Sequence, residues 1–194
     1  MAHAYHSVCF TYSIYILNGK RGRIPSPKRQ LMSNLPTKTC TLIFLRKEDR
    51  VLLAMKKRGF GSDRFNGIGG KIDLGETIEQ ALIRETEEEI EVTPTHFWKV
   101  ARHDFLQEDG DQPWRMIVHV YLCDEWIGEP TETEEMAPQW FNESDIPYDN
   151  MWADDEYWLP QVLAGEKNEG IFHFDESDKL LSYDVKKVET VRED

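Results

Sequence analysis

At 194 residues the chain is long enough for one domain with a buried core, and no apolar run approaches the length of a membrane span. Its formal net charge of −13 is unevenly spread: residues 1–47 hold eight Lys or Arg and no acid, while residues 48–194 hold 15 basic and 36 acidic side chains, a net of −21. So acidic a body repels nucleic-acid polymers, yet it admits a small anion that arrives with a divalent cation and meets a few local cations.

Residues 1–34 read as a basic, disordered extension. Within it, residues 7–17 are aromatic and β-branched, and residues 18–30 are basic and broken by Gly19, Gly22, Pro25 and Pro27. A mitochondrial presequence shares this composition, but no clean amphipathic helix is visible. Met32 is an alternative start. Residues 35–194 read as the compact domain. Strands are expected at 39–46 and 51–56 around a turn at 47–50. Residues 59–66 read as a loop, and 67–72 as a short strand with a Gly-rich loop. A helix starts at Thr77, the N-cap, with Gln80 completing a capping box. Gly75 fits a tight turn before it. Glu76 stands at the helix entrance, where the dipole favours an anion. Strands follow at 96–106 and 114–123, joined by an acidic, Gly-containing turn, then a short strand at 139–141. Residues 154–163 read as a helix kinked by Pro160, and 170–175 with 180–188 as a terminal hairpin. Sequential strands with two helices give an α/β class, a mixed sheet covered by helices. His103, His119 and His173 fall in strands and are assigned to structure. Cys9, Cys40 and Cys123 form neither a metal spacing nor an even disulfide set, which points to a reducing compartment, with Cys40 and Cys123 as buried, inert thiols.

The chemistry concentrates in residues 70–92, GKIDLGETIEQALIRETEEEIEV. A Glu-rich helix is ordinarily a solvated one. Here the wheel argues otherwise. With Ile78 at about 0° and roughly 100° per residue, Leu82 falls near about 40°, Glu85 near about −20° and Glu89 near about 20°, with Glu88 on the flank near about −80°. The acids continue the apolar stripe. Carboxylates turned inward are costly unless paired or bound to metal. Arg84 lies at i, i+4 from Glu88, but one guanidinium cannot neutralise three carboxylates; a divalent cation can. Magnesium takes hard oxygen ligands, and a backbone carbonyl at Gly69 is a further donor. Lys56 and Lys71 suit phosphate as point charges.

A second stretch, residues 151–160, MWADDEYWLP, offers Trp152 as a flat surface for a base. Asp154 and Asp155 stand beside it. Two adjacent carboxyls near a base pocket do not both ionise easily, so one keeps a proton. Taken alone, Asp154 also reads as a helix N-cap.

Residues 70–92 resemble the Nudix box. They match its pattern at Gly70, Glu76, Arg84, Glu85, Glu88, Glu89 and Val92, and depart at Thr86, where an aliphatic is usual, and at Glu91, where Gly is usual. The resemblance implies a Nudix fold, with a mixed β-sheet sandwiched between helices. It implies a Mg2+-dependent nucleoside triphosphate diphosphatase releasing a monophosphate and pyrophosphate. Arg84, Glu85, Glu88 and Glu89 would be its catalytic residues. Gly69, Glu85, Glu88, Glu89 and Glu135 would be its metal ligands.

Residues 39–191 are further similar to the MutT-homologue branch of that family, which acts on oxidised purine nucleoside triphosphates of the 8-oxo-dGTP and 2-hydroxy-dATP type. RVLLAMKKRGFG, FNGIGGKI and DDEYWLP carry the likeness. By position, Asn66, Asp154 and Asp155 would read the base and Trp152 would stack on it, with Ala153 between. Phe60, Phe105, Met116, Met136 and Trp158 would line the pocket, although core packing explains the first four equally well. Thr41, Lys56, Ile68, Gly69, Gly70 and Lys71 would complete the contacts. Cys40, Phe65, Ile68 and Ala153 stand where Tyr, Trp, Phe and Pro are usual; losing aromatic area shifts the preference between oxidised guanine and oxidised adenine. The branch implies a monomer that sanitises the nucleotide pool of the cytoplasm, or of mitochondria or nucleus, with no membrane or nucleic-acid partner. Two alternatives are a Nudix diphosphatase for a dinucleotide or ADP-ribose, and a catalytically silent nucleotide-binding module. The latter predicts missing box carboxylates, and none is missing.

Overall fold

The computed structural model describes residues 35–107 and 113–193. The basic extension 1–34, with Cys9 and Met32, and the acidic turn 108–112 lie outside the described residues.

The fold is organised by the alternation of side chains along β1 (Thr37–Lys47). Cys40 and Phe44 enter one core with Val118, Val120 and Trp158. Ile43 and Leu45 enter a second core with Leu82, Ile90 and Cys123. The sheet between them is mixed. Its order is β3 (Phe65–Asn66), β2 (Arg50–Lys56), β1, β5 (Trp114–Ile127), β4 (Thr93–Gln107), β7 (Lys167–Phe174), β8 (Leu180–Val188), with β6 (Met136–Asn142) pairing β2. β1 runs parallel to β5, and β4 parallel to β7. Helix α1 (Ile78–Ile90) supplies Leu82 and Ile90 to the second core, and α2 (Asp155–Leu163) supplies Trp158 to the first. This is the expected α/β sandwich.

Several elements are longer than the sequence predicts, because ladder partners extend them. β4 and β5 pair out to Thr93 and Ile127, and β6 pairs the full length of β2. Residues 65–66, read as loop, pair with β2 as β3. The Gly-rich segment runs beside β1 through isolated bridges: Ile43 N–H donates to the Ile68 carbonyl at 2.7 Å, and Thr41 N–H to that of Gly70 at 2.9 Å. Glycine is required there. A Cβ at Gly69 would collide with the Thr41 carbonyl, and one at Gly70 with the Glu85 carboxylate.

Helix α1 starts as its sequence predicts. Gln80 N–H donates to Thr77 Oγ1 at 3.2 Å, and Thr77 N–H to Gln80 Oε1 at 2.9 Å. Its two departures from the box both find local solutions. Thr86 is fully buried and donates its hydroxyl to the Leu82 carbonyl at 2.7 Å. Glu91 adopts the left-handed conformation, φ 60° and ψ 34°, that the usual glycine would take. Helix α2 continues past Pro160 to Leu163. Cys40 and Cys123 are buried free thiols, and burial pushes each up to about 11. His103 is buried in β4, with Nε2 at 2.9 Å from Asn168 Oδ1, and desolvation pulls it down to about 4. His119 and His173 lie in β5 and β7.

Candidate active site

A cleft of about 360 Å³ opens between the Gly-rich segment, the β1–β5 pair and the N-terminus of α2. Acidic side chains of α1 gather beside it.

At the acidic end the three box glutamates are not equivalent. Glu89 is 4% exposed; its carboxylate accepts the Gly69 N–H at 3.0 Å and faces Lys56 Nζ at 3.5 Å. Burial raises its pKa, partly opposed by the Gly69 hydrogen bond. Glu85 is half-buried against Gly70 and pairs with Arg84 Nη1 at 2.9 Å. Glu88 is exposed and meets Arg84 at 3.2 Å. The inward stripe thus holds for Glu89 and in part for Glu85; Glu88, on the flank, projects outward. Arg84 is engaged chiefly elsewhere than the i, i+4 pairing implies. Its fork takes Glu76 through Nε at 2.7 Å and Nη2 at 2.9 Å, and it also caps the Lys71 carbonyl at 3.1 Å. Those bonds, with one from Asp73 N–H, pull Glu76 down to about 2. Glu135, distant in sequence, joins the same acidic pocket and is paired with Arg58 at 2.7 Å. Its pKa is lowered by that bond.

Among the described residues no three carboxylate, His or Cys groups already converge on a point where an ion would sit. The chemistry of the donors nevertheless fits a hard divalent cation. They are all oxygens, and Lys56, Arg58 and Arg84 occupy the positions of positive charge beside them.

The other end of the cleft is aromatic. Trp152 lies at the wall, with Phe60 5.1 Å from its ring and tilted by 31°. Phe60 is largely exposed, which argues against a core role. Phe105 and Met136 serve both purposes: each lines the cleft, Phe105 stacks on Phe172 at 5.2 Å, and Met136 is buried in the α1-side core. Met116 is half-buried against the other core. Asn66 lines the cleft and is oriented by its own backbone, Oδ1 accepting the Gly67 N–H at 2.8 Å.

Asp154 and Asp155 are 3% and 2% exposed. Asp154 does not cap α2: its backbone is helical and its side chain makes no cap bond. Instead it accepts the Trp158 indole N–H at 2.9 Å, while Asp155 accepts the Trp152 N–H at 3.0 Å. Neither has a cationic partner among the described residues. Burial pushes Asp154 up to about 6 and Asp155 well above the carboxylate range, the latter also because Asp154 is adjacent. Both shifts run in the same direction, toward the protonated form of the carboxyl.

Thr41, Lys56, Gly69, Gly70, Lys71 and Trp158 also line the cleft. Two expected contacts do not. The Ile68 side chain is fully buried on the α1 side and only its backbone serves the loop. Ala153 is exposed and off the cleft wall. Phe65 likewise packs edge-on against Phe141 at 5.0 Å. Of the four positions that depart from the branch, Cys40 alone faces the cleft. Sequence reasoning missed Leu42, Trp114 and Val118, which share the strand parity of Cys40 and Met116 and were discoverable from it. It also missed Phe174 and Asp178, for which no local pattern exists.

Comparison with known proteins is decisive at the level of family. The NUDIX domain model matches residues 36–162. The chain belongs to the Nudix family. It is similar to the oxidized purine nucleoside triphosphate hydrolase of Mus musculus, 44% identical over 150 residues, covering 77% of this chain and 95% of that protein. The Danio rerio protein of the same name is 42% identical over 155 residues, covering 79% and 97%. Among solved structures, the MutT protein of Bacillus halodurans superposes with a TM-score of 0.69 over 76% of this chain and 97% of that one, at 24% identity, which speaks for the fold alone. Nudix hydrolases generally depend on a divalent metal. No helix among the described residues is long and apolar enough to cross a membrane.

Proposed function

We propose that this Nudix chain hydrolyses oxidised purine nucleoside triphosphates, of the 8-oxo-dGTP and 2-hydroxy-dATP type, to the monophosphate and pyrophosphate, with magnesium as its cation. The observation that carries this reading is the buried, cation-free pair Asp154–Asp155 in an aromatic cleft that runs to the acidic helix. The names of the mouse and zebrafish relatives, aligned over nearly their whole length, support it.

Glu85, Glu88, Glu89, Glu135 and the Gly69 carbonyl are the groups that would hold the cation. When bound, it supplies positive charge at the phosphate oxygens and makes a water more acidic. Lys56 and Lys71 hold phosphate as point charges. Arg84, through Glu76 and the Lys71 carbonyl, fixes the loop against α1 and positions Glu85 and Glu88. Glu89, whose affinity for a proton is raised by burial, takes the proton of the water that attacks phosphorus. At the other end the purine lies on Trp152 with its edge toward Asn66, Asp154 and Asp155. A pair that shares one proton offers both a donor and an acceptor, which suits bases whose donor pattern oxidation has altered. The hydrolytic unit is residues 35–194, acting as a monomer on the cytoplasmic nucleotide pool.

The test is kcat/KM for pyrophosphate release across oxidised and normal deoxynucleoside triphosphates with magnesium, with ADP-ribose and a dinucleotide in the same panel. Oxidised purines should lead. Equal turnover of dGTP and 8-oxo-dGTP, or preference for ADP-ribose, would overturn the reading.

A further inference from the structure

Trp152 has two roles at the cleft. Its ring forms the wall, and its backbone N–H is donated to Asp155. A shift of this residue therefore moves both the stacking surface and the donor to the buried carboxyl pair. A half-exposed indole at a cleft mouth needs something to hold it in one orientation.

Arg64 lies across the indole. Its guanidinium carbon is 4.2 Å from the ring centroid, within reach of a cation–π contact. The Arg64 backbone is itself fixed, its carbonyl accepting the Lys56 N–H at 3.0 Å just before β3. The guanidinium also faces Asp178, with Nη1 at 3.5 Å from Oδ2. Asp178 lines the cleft from the β7–β8 turn, in a left-handed conformation at φ 63°. That turn is braced by Asp175, which accepts the N–H groups of Ser177 at 2.8 Å and Lys179 at 3.0 Å. Three segments that are remote in sequence thus meet on one ring.

We propose that Arg64, held by Asp178, is a positioning residue for base recognition: it fixes Trp152, and through the Trp152 N–H the Asp155 carboxyl, and so contributes to discrimination between bases. The proposal rests on the reading of this cleft as the oxidised-purine site. Among the described residues, the Arg64 side chain makes no ion pair or hydrogen bond with the α1 glutamates, so it acts on base binding and leaves the chemistry at phosphorus alone. A shelf fixed before the base arrives has less ordering left to do on binding, and this appears in KM and in selectivity.

The experiment uses the full chain with magnesium, 8-oxo-dGTP and dGTP, and the variants Arg64→Met, Arg64→Lys and Asp178→Asn, each checked for a parental melting temperature. Arg64→Met should raise KM for 8-oxo-dGTP by about fivefold, with kcat within about twofold and a reduced preference over dGTP. Arg64→Lys, which keeps the cation, should recover part of that loss. Asp178→Asn should move KM the same way by about twofold. A parental KM in Arg64→Met, a loss confined to kcat, or Arg64→Lys no better than Arg64→Met would each overturn the inference. If Arg64→Met does not fold, Arg64→Lys and Asp178→Asn decide it by the same KM criterion: parental values in both overturn it. A parent without activity on 8-oxo-dGTP removes the proposed function and this inference together; an active parent with a parental Arg64→Met removes this inference alone.

Discussion

At the α1 end of the cleft every carboxylate sits beside a side-chain cation: Glu89 with Lys56, Glu85 and Glu88 with Arg84, Glu135 with Arg58. At the Trp152 end two carboxyls lie side by side, as buried as Glu89 but with only N–H donors for company. The same functional group is therefore prepared for two different uses. Where side-chain cations are near, a carboxylate has a counter-charge in place and can exchange that partner for a metal. Where desolvation dominates and no cation is near, the protonated carboxyl is favoured, and in that form it can donate a hydrogen bond. Under the proposed function, one end serves charge and the other reads a pattern of donors and acceptors.

Substitutions that separate the two ends test this contrast. Glu89→Gln should have the largest effect, lowering kcat by about 10²–10⁴-fold while leaving KM for the base and the melting temperature near parental values. Near-full activity with magnesium would remove Glu89 from the chemistry. Trp152→Ala acts at the opposite end. It should raise KM by roughly tenfold to a hundredfold, since a base–aromatic stack is worth about 1–3 kcal/mol, with a smaller change in kcat. If both variants lose kcat alone, the division of labour fails.

The third prediction concerns pH. Asp154 is pushed up to about 6 from its ordinary 3.8. An acid whose folded pKa is raised binds its proton more tightly in the fold than in the unfolded chain. Its contribution to stability is thus full below about pH 4 and lost as pH rises through about 6. Asp154→Asn removes this carboxyl and keeps an acceptor for the Trp158 indole N–H. Melting curves at pH 5 and pH 8 should then converge, with a gain at pH 8 of about 2–4 °C for each ~1 kcal/mol recovered. Base preference should change in the same variant; an equal loss on every nucleotide would argue against a reading role. The smallest effect is expected from Glu91→Gly, which relieves a left-handed Glu at the end of α1. It should add about 1 kcal/mol or less and leave kcat and KM unchanged at both ends.

Much of this molecule is legible without coordinates. The capping box at Thr77, the strand alternation that sorts Cys40 and Phe44 from Ile43 and Leu45, and the stacking of Glu85, Glu88 and Glu89 on one helix all depend on neighbours a few residues away. Backbone periodicity alone fixes such relations. What tertiary structure decided is which of those groups keeps its water and its partner. It left Glu88 in solvent, and it gave Arg84 to Glu76 more than to Glu88. It drew Ile68 away from the cleft, and it buried Asp154 where a helix cap was the simpler reading. It also brought Arg64 and Asp178 to Trp152 from opposite ends of the domain. Burial and proton affinity are properties of what packs over a side chain. Those neighbours come from strands paired across the sheet, so no local stretch of sequence contains them.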